Sequence, residues 1–186
     1  MTDRARLIAK LEARLRHLAT LLYDTGVPAA QVDAEVLPHC DEQIVFTDPW
    51  QQGGGVARYR LGLAGFHAML KFDFAISQLN VTLDEEGRRG RAIVDGVMQL
   101  RLLEPLLTYP LRTILVFDFA VTDEGRGEAP VGFRITNHEE LWSFGDMLAA
   151  VPAFGWAYTK LFRPGFARAF LAASYLSSKA KGWVPE

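Results

Sequence analysis

A single cysteine, Cys40, stands among the 186 residues, which excludes an intramolecular disulfide and with it a secreted scaffold held by cystines. The four histidines, His17, His39, His67 and His138, are scattered and have no cysteine partners at ligand spacing; no metal site and no cofactor is expected. Long apolar runs are missing too. The longest, Leu148 to Tyr158, contains Pro152 and is shorter than the roughly 20 residues of a membrane-crossing helix. The opening TDRARLIAKLEARLRHL lacks the continuous apolar stretch of a signal peptide, so the expected location is cytoplasmic. One absence is local. Residues 147–185 hold no acid but five bases (Lys160, Arg163, Arg168, Lys179, Lys181), a charge of +5, whereas residues 1–146 carry 15 bases and 21 acids, a charge of −6.

What is present suits a packed α+β protein. Apolar residues make up 49% and aromatics 11% of the chain, enough for a core without covalent staples. No Pro/Gly/Ser-rich linker divides it, so residues 1–146 are expected to form one pocket-bearing domain and residues 147–186 a helical appendage packed on or beside it.

Leu7, Leu11, Leu15, Leu18 and Leu22 recur at helical spacing, with Thr2 or Asp3 able to cap the start and Gly26 and Pro28 to stop it. The opposite face carries Arg4, Arg6, Lys10, Arg14 and Arg16, which suits either phosphates or plain solvation. A short helix over Ala29 to Leu37 precedes a strand, Ile44 to Thr47, that Asp48-Pro49 ends. Gly53 to Gly55 lead into a helical stripe of Val56, Tyr59, Leu63, Phe66 and Leu70. Neither the Lys-Ser/Thr of a P-loop nor a dinucleotide glycine fingerprint follows them, so they read as a loop.

From Phe72 the period becomes two. Phe72, Phe74 and Ile76 alternate, then Leu79, Val81 and Leu83 in the opposite phase, which predicts a bulge near Ser77-Gln78 and a bent strand. Strands over Ala92 to Leu102, Leu111 to Thr122 and Val131 to Leu141 follow, joined by turns. Long strands so connected imply a curved antiparallel sheet backed by the N-terminal helices. The remainder reads as helices over Trp142 to Ala150, Phe154 to Phe162 and Phe166 to Ser178, with Pro164-Gly165 as a break.

Two stretches, IVFTDPWQQGGGVARYR and FRITNHEELW, together with this element order, resemble the nuclear-transport-factor-two-like superfamily, which includes ketosteroid isomerases and SnoaL-type polyketide cyclases. The resemblance covers roughly Leu7 to Trp142 and is nearest to uncharacterised members. It implies a cone around an apolar pocket and leaves the reaction open. In ketosteroid isomerases the Asp of the Asp-Pro motif is the general base, which corresponds to Asp48, and a protonated Asp late in the penultimate strand corresponds to Asp118. The tyrosine of that site would fall near Ala19 or Thr20, and Tyr23 lies about one turn later.

Each candidate has a plainer reading. Asp48 can cap a turn, and Asp118 can face solvent. Strict alternation puts Arg134, Thr136, His138 and Glu140 on one face of the last strand, opposite Phe133 and Ile135; that face lines a pocket or meets water. His39-Cys40 reads as structural, because sequence neighbours rarely reach dyad geometry. The catalytic candidates are therefore Asp48, Asp118 and His138, and the ligand-contact candidates Tyr23, Trp50, Tyr59, Arg134, Glu140 and Trp142.

Two functional classes remain open. One is a pocket protein that binds a small apolar molecule or acts on it by acid/base chemistry in the manner of an isomerase or cyclase. The other is a non-catalytic interaction module whose cavity is filled by its own aromatics, with a homodimer through the sheet as one form of association. Nucleic acid is not an expected partner, given the acidic body. The aromatic, basic residues 147–185 either fold back as a lid or make peripheral contact with an anionic membrane.

Overall fold

The leucine stripe of the N-terminus winds into α1 (Asp3–Leu22), whose first turn is capped by Thr2 Oγ1 accepting from the Ala5 N–H. Leu11, Leu15, Leu18 and Leu22 are buried, each contributing about 2 kcal/mol by leaving water. The helix is a computed structural model's first element; the structure describes residues 2–103, 107–122, 132–143, 145–146, 148 and 151–180. Three arginines of the basic face of α1 make protein contacts. Arg4 donates to the carbonyls of Leu83 and Asp84, Arg6 pairs with Asp3, and Arg14 meets His39.

After α2 (Ala29–Glu35), β1 (Cys40–Thr47) turns at Asp48 into β2 (Gln52–Gly54) and then α3 (Val56–Met69). Gly55 stands at the N-terminus of α3 with φ of +92° while its N–H donates to the Ile44 carbonyl. That backbone geometry is what the glycine supplies. Four long strands follow: β3 (Phe74–Leu83), β4 (Arg89–Leu103), β5 (Leu107–Val121) and β6 (Phe133–Trp142).

The six strands form one sheet in the order β2-β1-β6-β5-β4-β3. It is mixed rather than wholly antiparallel, because β1 runs parallel to β6. A chain that crosses from β1 through α3 and three strands returns to β1's side in the same direction, and that long-range pairing leaves no local trace in the sequence. The register of β3 against β4 skips Ser77, and that of β5 against β6 skips Thr136 between Asp118↔Asn137 and Phe119↔Ile135. Each skip is a bulge that bends its strand. Arg91–Asp118, Arg112–Asp95 and Arg101–Asp73 pair across neighbouring strands or segments on the exposed side, while Phe117, Phe119, Leu115, Phe133 and Ile135 fill the buried side.

The chain divides into two compact units, Met1–Trp142 and Ser143–Glu186. In the second, α4 (Pro152–Ala157) runs through a π-helical turn, Tyr158–Phe162, into α5 (Arg163–Ala180). Trp142 thus ends β6 instead of starting a helix, and Pro164-Gly165 does not interrupt α5 as the sequence suggested. The π turn explains the proline's tolerance. The Arg163 N–H bonds to the Tyr158 carbonyl, so the ladder has already loosened one turn before Pro164, whose missing N–H and bulky ring would otherwise break it. Trp183 and Lys181 lie outside the described residues.

Candidate functional site

A cavity of about 200 Å3 opens between the β1–β2 hairpin, α3 and the end of β6, lined by Phe46, Asp48, Tyr59, Leu63, Phe66 and Glu140 among others. The α3 stripe supplies one wall: Tyr59, Leu63 and Phe66 stand four and three residues apart and so share a helix face. The sheet supplies Phe46 and Glu140.

Among the residues lining the cavity, burial singles out Glu140. It is 5% exposed, its Oε1 accepts from the Tyr23 hydroxyl and its Oε2 from Trp142 Nε1 at 3.3 Å. Burial pushes its carboxyl up to about 7 and the charge of Asp48 adds to this, against the opposing pull of the Tyr23 and Trp142 hydrogen bonds. A carboxyl facing an apolar cavity thereby divides between its acid and base forms near neutrality.

Behind the cavity wall the hydrogen bonds continue. His138, fully buried, places Nε2 3.0 Å from the Tyr23 hydroxyl and Nδ1 2.8 Å from the Tyr59 hydroxyl. Phe46, Phe117 and both tyrosines surround its ring, and desolvation holds its pKa down at about 3. It is therefore a neutral imidazole, with one donor and one acceptor nitrogen. When Glu140 is ionised, Tyr23 must give it its proton; Tyr23 oxygen then accepts from His138 Nε2–H, and the bare Nδ1 accepts from Tyr59. When Glu140 is protonated every bond can reverse, and the Tyr59 hydroxyl proton is released toward the cavity. Tyr59 and Glu140 are thus the two ends of one chain, and both ends face the same cavity.

The other sequence candidates separate. Asp48 borders the cavity, and its Oδ1 also accepts from the N–H groups of Trp50 and Gln51 at 2.7 and 2.8 Å, so it is a turn cap as well as a wall. Trp50 is 57% exposed and packs edge-on against Trp142 at 4.7 Å. Tyr23 reaches the site from the C-terminal cap of α1, packed on Phe74 at 5.4 Å. Asp118 is not brought to the cavity. It faces the outer side, where both its oxygens are held by Arg91 at 2.6 and 3.0 Å. Arg134 and Thr136 are likewise exposed on the outer side. The bulge at Thr136 separates them from His138 and Glu140, so that Phe133, Ile135, His138 and Glu140 all point inward. Cys40, buried, donates to the Val36 carbonyl, and burial pushes its thiol up to about 12; His39 turns away to stack on Phe133.

No protein family and no curated protein matches the chain, whereas solved structures do. A scytalone-dehydratase-like protein from Novosphingobium aromaticivorans superposes over 76% of this chain and 87% of its own, with a TM-score of 0.58 at 10% identity. A ketosteroid isomerase-like protein from Erwinia carotovora atroseptica matches over 73% and 95%, with a TM-score of 0.52 at 11% identity. Nuclear transport factor 2 from Cryptosporidium parvum matches over 73% and 94%, with a TM-score of 0.52 at 16% identity.

Proposed function

The chain has the fold of the nuclear-transport-factor-two-like superfamily, and on that premise we propose that it binds a small, largely apolar molecule and moves a proton on it, as isomerases, cyclases and dehydratases do. The observation that carries this reading is Glu140, a buried carboxyl on the cavity wall with its pKa raised to about 7. General acid/base catalysis is most effective when the group's pKa lies near the working pH. A proton taken from a C–H beside a carbonyl passes to Glu140. The Tyr59 to Tyr23 chain then reverses, and Tyr59 becomes a donor to the oxygen on which charge develops. Phe46, Leu63 and Phe66 give the cavity an apolar wall for such a molecule to pack against.

The test uses 5-nitrobenzisoxazole, whose ring C–H is removed by a desolvated carboxylate with cleavage of its N–O bond to a coloured phenolate. Wild-type protein should accelerate this, with a rate rising through about pH 7 to a plateau. Glu140→Gln should lose a factor of about 10² to 10⁴. Equal rates in the two proteins would remove Glu140 as the base.

A further inference from the structure

The second unit leaves its large apolar side chains in the open: Trp156, Leu161, Phe162, Phe166, Phe170 and Leu171 are each between 60% and 67% exposed. The rings of Tyr158, Phe162, Phe166 and Phe170 stand four residues apart and stack in sequence, with centroids 5.7, 6.0 and 6.2 Å apart and planes inclined by 17° to 19°. Such a row is larger than the scattered apolar residues a soluble surface ordinarily carries, and a patch of that kind marks an interaction surface.

Charge decides what meets it. Lys160, Arg163 and Arg168 are interspersed with the rings, and residues 147–185 hold five bases and no acid. The helical run itself carries Lys160, Arg163, Arg168 and Lys179, so two copies meeting along it would bring +4 against +4. Among the described residues no helix is long and apolar enough to cross a membrane. Aromatic rings with interspersed bases are instead the composition of a helix lying in the plane of an anionic bilayer, where rings settle at the headgroup boundary and Lys and Arg reach outward to lipid phosphates and carboxylates.

We infer that the helical run from Pro152 to Ala180 binds an anionic membrane surface through its aromatic row and its bases. This does not depend on the chemistry assigned to Glu140.

The full chain is sedimented with vesicles of phosphatidylcholine alone, and with vesicles containing about one third phosphatidylserine. It should pellet with the second and not the first, and release as salt is raised. Lys160→Gln, Arg163→Gln and Arg168→Gln should each weaken binding by about fivefold. The combined Phe162→Ser, Phe166→Ser, Phe170→Ser variant should stay in the supernatant with its circular dichroism and thermal transition retained, since these side chains are exposed. Brominated lipid should quench Trp156 emission, read as the difference from Trp156→Phe. The inference is overturned if the full chain ignores anionic vesicles, if the triple variant binds as well as wild type, or if sedimentation velocity shows a dimer that the triple variant dissolves while no vesicle is bound.

Discussion

The Tyr23 hydroxyl donates to Glu140 Oε1 across 117 residues of chain, joining the C-terminal cap of α1 to the end of β6 inside the core. Because His138 Nε2 meets the same hydroxyl, this one phenol orients both the candidate base and the imidazole behind it. A buried hydroxyl with two partners leaves both unsatisfied when it is removed.

Tyr23→Phe should therefore destabilise the fold by about 1 to 3 kcal/mol, with no packing loss to account for it. It should also raise the Glu140 pKa further, since a hydrogen bond that favours the carboxylate is gone. Urea unfolding and carboxyl carbon NMR measure the two effects separately.

Glu140 makes stability depend on pH. Below the unfolded value of about 4.3 the carboxyl is neutral in both states and its burial carries no ionic penalty. As pH rises, the unfolded chain ionises first, so stability is lost until pH passes the folded value of about 7. That difference amounts to roughly 4 kcal/mol. Glu140→Gln should abolish this component, so the gap in unfolding free energy between variant and wild type should shift in the variant's favour from about pH 4 to about pH 8.

His138 has the opposite sign. Its folded pKa of about 3 lies below the unfolded value of about 6.5, so the stability it contributes is present above that value and lost as pH falls toward 3. Nitrogen NMR should find the ring neutral at pH 5. It should also find the proton on Nε2 when Glu140 is ionised and on Nδ1 when it is protonated, the exchange following the Glu140 midpoint near 7. A tautomer that does not change while Glu140 titrates would break the link between Tyr59 and Glu140.

Asp48→Asn should preserve the hairpin, because the amide oxygen can still accept from the Trp50 and Gln51 N–H groups. It removes a negative charge that raises both Glu140 and Tyr23, so the Glu140 midpoint should move down. Carboxyl NMR across the titration reads this directly. Abolished proton transfer with an unmoved Glu140 midpoint would instead restore Asp48 as the base.

Local signals carried much of the first unit. The leucine spacing of α1, the Tyr59-Leu63-Phe66 stripe of α3 and the phase change at Ser77 are each written in neighbouring residues, because helix and strand periods act over a few positions. Tyr59 was legible as a pocket residue on the same grounds, whereas nothing in the sequence distinguished Glu140 as the group with the shifted pKa. That shift comes from desolvation, which depends on what Tyr23, Trp142 and the cavity walls place around the carboxyl.

The last strand marks the boundary between the two kinds of information. Alternation by itself determined that FRITNHEELW is a strand with apolar Phe133 and Ile135 on one face, and read forward it assigned Arg134, Thr136, His138 and Glu140 together to the other. The tertiary structure decided otherwise, by inserting Thr136 as an unpaired residue opposite the Asp118–Phe119 step. One extra residue exchanges the faces of everything beyond it, so Arg134 remains outside while His138 and Glu140 turn into the core beside Phe133 and Ile135. The same pairing with β5 puts Asp118 on the outer face with Arg91. A bulge appears only in the pairing with a neighbouring strand, and a period of two magnifies a slip of one residue into a complete reversal.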